Sequence, residues 1–267
     1  MTKRLLAVGI NRYPDAPLAG CVPDAQNIVA YAAAHGFDRP DYWTLVDEQA
    51  SRNAIWASML CIREDSMPDD VVYFHPSCHG CTMDVGYEKL HAICPVDFDW
   101  TLDRAITSKD IALWIDGFRP GVRIFLSFDS CFSGRMVDPM ARLVANALAD
   151  RPSPLQVPKV FPGKPTCAAE GVRMLMPTRT FRDVIAMSEH PVAYLSGCGS
   201  QQTSADTEID GLPCGAFTHY LLEALNDAQT PDTAISLAMT LGARLGAAGY
   251  DQRPNAEGNA LDLRWAE

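Results

Sequence analysis

The 267-residue chain has no apolar run long enough to cross a bilayer, no internal repeat and no low-complexity tract. Without such a run no transmembrane helix is expected. Met1-Thr2-Lys3-Arg4 passes straight into an apolar strand pattern, so no signal peptide is expected and the chain is placed in the cytoplasm. Positive charge is also scarce: 22 Lys and Arg stand against 33 Asp and Glu, giving a net charge of −11 and a pI near 4.9. That balance argues against nucleic acid or an anionic membrane as a partner and favours a basic substrate.

Cysteine is present in an odd number, nine, scattered from Cys21 to Cys214. A chain of this size needs no stapling, so reduced thiols in a reducing compartment are the simpler reading. Hydrophobic content of 48% and charged content of 21% are ordinary for a globular protein of one sizeable domain.

Apolar runs alternate with helical patterns along the chain. Strands are expected over Arg4–Ile10, Tyr42–Val46, Val71–His75 (running on to His79), Arg123–Phe128, Val192–Ser196 and Ala260–Trp265. Helices are expected over Ala25–Ala34 with Asp24 as cap, from Ser51 to about Arg63, and over Ser108–Phe118, Phe217–Asn226 and Pro231–Ala247. Residues 81–106 read as a long loop carrying Asp97, Asp99 and Asp103. This alternation implies an α/β fold with a mainly parallel sheet and helices on both faces.

Between about residues 137 and 190 seven prolines and seven Lys or Arg residues break the pattern, with a short helix expected over Pro139–Ala149. Segments of that length are usually functional or disordered. It reads either as a linker between a large part (about 1–136) and a small part (about 191–267) or as an ordered insertion over a cleft.

The apolar run Arg123–Phe128 ends in Asp129-Ser130-Cys131-Phe132-Ser133-Gly134. Open α/β sheets place their chemistry at the carboxyl ends of strands, so Cys131 stands where a nucleophile is presented. The run Val71–His75 ends in Pro76-Ser77-Cys78-His79-Gly80, which sets His79 at a second strand end, 52 residues before Cys131. Alternation puts His75, Ser77 and His79 on one face, so His75 is a supporting residue rather than a base.

These blocks resemble the metacaspase and bacterial caspase-like (orthocaspase) branch of the caspase-like cysteine peptidases. The resemblance extends to Leu6-Ala7-Val8-Gly9-Ile10-Asn11-x-Tyr13, Leu18-x-Gly20-Cys21-x-x-Asp24-Ala25, Ser196-Gly197-Cys198 and Gln202-Thr203-Ser204-Ala205-Asp206, all in family order. It implies one caspase-haemoglobinase-type sandwich domain and hydrolysis of peptide bonds through a thioester. Cys131 would be the nucleophile and His79 the acid and base, with the N–H groups of Gly80 and Cys131 forming the oxyanion hole.

By the same resemblance Asp24 and Asp129, with Ser77 alongside, would face a basic side chain. Protein or peptide substrates with Arg or Lys at the cleaved bond follow, because two carboxylates suit a guanidinium or ammonium group. Reading aspartate would instead need arginines.

There are departures from the family pattern. Cys78 replaces a usual Gly before the histidine, and Phe132 replaces a His after the nucleophile. The acidic pair that often binds calcium appears as Thr107-Ser108-Lys109-Asp110, where a lysine would repel the ion, so no cofactor or metal is expected. Cys78-x-x-Cys81 has zinc or redox spacing, but zinc would need Cys94 and His91 as well. The alternative function is a gated or silent caspase-fold module that works through a partner or an upstream activator.

Overall fold

The computed structural model describes residues 1–38, 43–85, 88–131, 156–161, 185–198, 202–227 and 229–265. Its centre is a six-stranded sheet in the order β12-β9-β7-β3-β1-β2. The strands are β1 (Lys3–Gly9), β2 (Thr44–Val46), β3 (Val71–Ser77), β7 (Arg123–Phe128), β9 (Val192–Ser196) and β12 (Asn255–Gly258). All neighbours run parallel except β12, which pairs antiparallel with β9. Every residue of β3 and of β9 is buried, as expected of inner strands covered on both faces.

The helices are α1 (Cys21–Ala34), α2 (Arg52–Asp65), α3 (Ser108–Asp116), α4 (Ala216–Asn226) and α5 (Ala234–Ala247). Helix α1 packs on α4 and α4 on α5, while α2 packs on α3. The Trp114 indole N–H ties α3 to the Met59 carbonyl of α2 at 2.6 Å. The N-termini are set by local polar residues: Ser51 accepts from Ala54 N, Thr233 accepts from Ser236 N, and Thr107 forms a reciprocal capping box with Asp110.

Three expectations are corrected. Residues 81–106 are not a plain loop: β4 (Gly80–Val85), β5 (Glu88–Ile93) and β6 (Ile106–Thr107) form a small antiparallel sheet. Cys81 and Met83 are buried while Asp84 is exposed, the alternation of a half-covered strand. Helix α1 begins at Cys21 with Gly20 at its cap, so Asp24 lies inside the first turn.

The final strand is the polar stretch Asn255–Gly258 rather than Ala260–Trp265. Trp265 instead packs its ring on Tyr73 and Phe125, and its backbone N–H donates to Asp232 O. Tyr42 and the helix expected over Pro139–Ala149 lie outside the described residues. A third sheet, β11-β10-β8, joins β10 (Ala205–Ile209), β11 (Leu212–Gly215) and the two-residue strand β8 (Val157–Pro158). It sits beside the carboxyl ends of β3 and β7.

Candidate active site

Strands β3 and β7 are neighbours, and their pairing extends past their ends through a parallel bridge between Ser77 and Asp129. That bridge carries His79 and Cys131 to the same edge of the sheet. Gly80 follows His79, and a Cβ on it would overlap the Cys131 backbone, so only glycine lets the two strand ends close to this distance.

Asp24 from α1, Ser77 from β3 and Asp129 from the end of β7 converge on one buried point. That point is occupied by the ammonium of Lys159, a fully buried residue. Its Nζ lies 3.1 Å from Asp24 Oδ2 and 3.1 Å from Asp129 Oδ2, and donates to Ser77 Oγ at 2.8 Å. Ser77 in turn donates to Asp24 Oδ2 at 2.7 Å.

The acids have further partners. Gly215 N–H bonds Asp24, the Thr218 hydroxyl donates to Asp129 Oδ2 at 2.7 Å, and the Ser204 hydroxyl donates to Asp129 Oδ1. Asp206 accepts the Ala19 and Gly20 N–H groups and so fixes the loop that leads into α1.

Burial opposes the charge on Lys159, but Asp129, Asp24 and Asp206 outweigh it and hold the ammonium well above its usual range. Burial alone would raise Asp129. Lys159 with the Ser204 and Thr218 hydroxyls reverses this and holds it below the ordinary range. Burial dominates at Asp24, which is pushed up to about 6 despite Lys159.

The backbone around Lys159 is hydrogen-bonded as fully as its side chain. Val157 and Pro158 add an antiparallel strand to β10, opposite Asp206 and Ala205. Lys159 N–H donates to Ser204 O at 3.0 Å. The Lys159 carbonyl accepts Gly80 N–H at 2.9 Å and Cys131 N–H at 3.4 Å. Beyond it, Phe161 N–H donates to Gly80 O at 3.1 Å. Residues 157–161 thus lie along the site as an extended peptide, with the Lys159–Val160 bond over the Cys131 and Gly80 amides.

Cys131 and His79 are both buried and are not hydrogen-bonded to each other. The Cys131 thiol donates to Ser204 O at 3.4 Å, and its sulfur accepts the Ser204 N–H. Burial, reinforced by the adjacent Cys198, pushes this thiol well above its ordinary pKa.

The His79 Nε2 is 2.7 Å from Ala16 O, an acceptor, which requires the proton to sit on Nε2. Nδ1 is therefore the lone-pair nitrogen, buried and without a hydrogen bond. Burial lowers the ring to about 4, against the opposing pull of the Ala16 and Lys159 carbonyls, so it is neutral at pH 7.

His75 is fully buried between the Ser127 hydroxyl (2.7 Å) and the Thr218 hydroxyl (3.3 Å), and burial lowers it to about 3. It supports Thr218, itself a partner of Asp129. Cys78, Cys81 and Cys94 are buried free thiols, and His91 is hydrogen-bonded with Thr82. Asp97 is engaged by Arg52 N–H and Arg104, Asp99 by Thr101, and Asp110 by the Thr107 cap. Among the described residues no group of three or more His, Cys, Asp and Glu is arranged to hold a metal ion. Phe132 lies outside the described residues.

Sequence reasoning did not single out two residues of this site. Lys159 was one of seven basic residues in its segment, and nothing local distinguishes it. Gly215 is the second: a Cβ there would collide with Asp129, Lys159 and Asp24, so its bareness makes the room for the ammonium.

A six-stranded, parallel-rich sheet with a cysteine and a histidine at adjacent strand ends defines a caspase-fold cysteine peptidase. Residues 3–140 match the model of the metacaspase, peptidase C14 domain, and the chain belongs to that family. It is 27% identical to Metacaspase-1 of Scheffersomyces stipitis, across 94% of this chain and 69% of that protein. It is 26% identical to Metacaspase-1A of Aspergillus niger, across 84% of this chain and 62% of that protein.

Among solved structures, a protein from Geobacter sulfurreducens superposes with TM-score 0.71 at 20% identity, covering 100% of this chain and 98% of the other. Caspase-1 of Spodoptera frugiperda superposes with TM-score 0.53 at 13% identity, covering 97% and 87%. These two likenesses establish the fold.

Proposed function

We propose that this cysteine peptidase is an endopeptidase that cleaves after Lys or Arg, held latent by its own residues 157–161. The observation that carries the reading is Lys159: its ammonium sits between Asp24 and Asp129 while its carbonyl faces the Gly80 and Cys131 amides. Those are the positions that a substrate's basic side chain and scissile carbonyl would take.

In the reaction, the Cys131 thiol turns from Ser204 toward His79 and gives its proton to Nδ1. The sulfur then bonds to the carbonyl carbon of the Lys or Arg residue. The oxyanion is held by the Gly80 and Cys131 N–H groups, which are fixed by the sheet and need no reorganisation. Collapse breaks the C–N bond, and the leaving amine takes the proton from His79. Water then hydrolyses the thioester, returning the thiol and a carboxylate.

The Ala16 carbonyl serves as an orienting group by holding the other tautomer out of reach. The Lys159–Val160 bond is the first candidate substrate, cut in cis. No step is assigned to a cofactor, nucleic acid or membrane, and among the described residues no helix is long and apolar enough to cross a bilayer.

The test is hydrolysis of fluorogenic peptides ending in Lys, Arg or Asp by the wild type and Cys131→Ala. Cleavage after Lys or Arg by the wild type only is expected; cleavage after Asp would overturn the pocket assignment. Silence of the wild type before and after limited proteolysis would leave a non-catalytic module.

A further inference from the structure

Residues beyond the scissile bond are also seated. Phe161, the second residue past Lys159, is held by Phe98, Tyr13, His79 and Trp100. The ring centroids lie 5.0, 5.7, 5.8 and 5.9 Å away, all edge-on to it. Edge-to-face contacts at these distances are favourable beyond their buried area.

The seat is built rather than incidental. The Tyr13 hydroxyl is anchored on Cys94 O at 2.6 Å. Trp100 takes a φ of +69°, a backbone conformation that bulky residues rarely adopt, and the turn is locked by Asp99 accepting from Thr101. The Trp100 and Phe98 rings also pack against each other, tilted, with centroids 5.3 Å apart. Phe161 N–H on Gly80 O then registers any extended peptide so that its second residue after the cut reaches this cage.

The geometry points to a second specificity pocket, selective for an aromatic side chain two residues after the cleaved bond. Preferred substrates are therefore extended peptides of the form Lys (or Arg)-x-aromatic. Because the bound ring packs against His79 itself, the pocket also holds the imidazole in place, so the preference enters kcat as well as KM. This inference rests on the endopeptidase reading above.

The test uses internally quenched peptides containing Val-Pro-Lys-Val-Phe and Val-Pro-Lys-Val-Ala. A Val-Pro-Lys aminomethylcoumarin peptide, which ends at the cleaved bond, runs beside them. The aromatic peptide is expected to exceed the alanine peptide about tenfold in kcat/KM, from the apolar surface it buries. Trp100→Ala should bring that ratio toward one. Equal rates in the wild type would overturn the pocket while cleavage of the coumarin peptide upholds the underlying activity.

If the coumarin peptide is cut neither before nor after limited proteolysis, the activity reading fails and the pocket is read in cis from alkylation of Cys131 in the intact chain. Phe161→Ala should then be alkylated several-fold faster than the wild type, and Phe161→Tyr at the wild-type rate. Identical rates for all three would overturn it.

Discussion

The Lys159 carbonyl oxygen lies 2.9 Å from Gly80 N, while 3.1 Å separates the same residue's ammonium from Asp129 and from Asp24. One residue from a distant part of the chain thus satisfies both an anion-binding pair of amides and a cation-binding pair of carboxylates. A structural salt bridge would need only the second. The peptide group completes a substrate-like pose, and the account of latency follows from it.

Removing the ammonium should loosen that pose. Lys159→Ala leaves two buried carboxylates facing each other, so Asp24 takes up a proton and the segment loses its anchor. Alkylation of Cys131, fully buried in the native chain, is expected to accelerate about tenfold or more, since the cover opens to solvent. Lys159→Arg should stay protected. Mass spectrometry after timed iodoacetamide exposure reads both, and equal rates would count against the latch.

Gly215→Ala should close the basic pocket from its floor, because the added methyl group occupies the space between Asp24, Asp129 and the ammonium. The expected loss in kcat/KM on Lys and Arg peptides is about 100-fold, the scale of misplacing a bound group by about an ångström. Circular dichroism should show the fold retained. Undiminished turnover would place the substrate's side chain elsewhere.

Acid should weaken binding of the basic residue. With the Lys159 ammonium in the pocket, burial raises Asp24 from 3.8 to about 6, so in an emptied pocket, without that ammonium, it takes up its proton at a higher pH. A bound ammonium favours the ionised form, so protonation and binding oppose each other. KM for Lys peptides is therefore expected to rise as pH falls toward about 6 and to level off below it, and Asp24→Asn should abolish that limb. An unchanged KM from pH 8 to 6 would contradict the role of Asp24.

Calcium is expected to have no effect on turnover. Lys109 stands among the candidate acids, Asp110 is spent on the Thr107 cap, and Asp97 on Arg52 and Arg104. Peptide hydrolysis with added calcium and with a chelator should agree within about twofold, the scatter expected when no ligand-dependent state is shifted. A strong calcium requirement would reopen that cluster.

Much of this arrangement is legible in the chain itself. Apolar runs ending in small polar residues locate β3, β7 and their carboxyl ends, and the motif blocks bring Asp24, Ser77, Asp129, His79 and Cys131 together. Lys159 is not legible, because its place depends on Val157 and Pro158 pairing with the distant β10, which no local pattern encodes. The hairpin β4–β5 is obscured by Gly, Cys and His in place of β-branched residues. At the end of the chain, the apolar spacing of Ala260–Trp265 serves to anchor Trp265, while the adjacent polar segment takes the sheet edge.

The most direct test of the central claim is the intact mass of the purified chain over time, wild type beside Cys131→Ala. The account predicts that the wild type yields fragments ending at Lys159 and beginning at Val160, while Cys131→Ala stays whole. Cutting at a different bond, equal cutting in Cys131→Ala, or a wild type that hydrolyses Lys peptides with the Lys159–Val160 bond intact would contradict it.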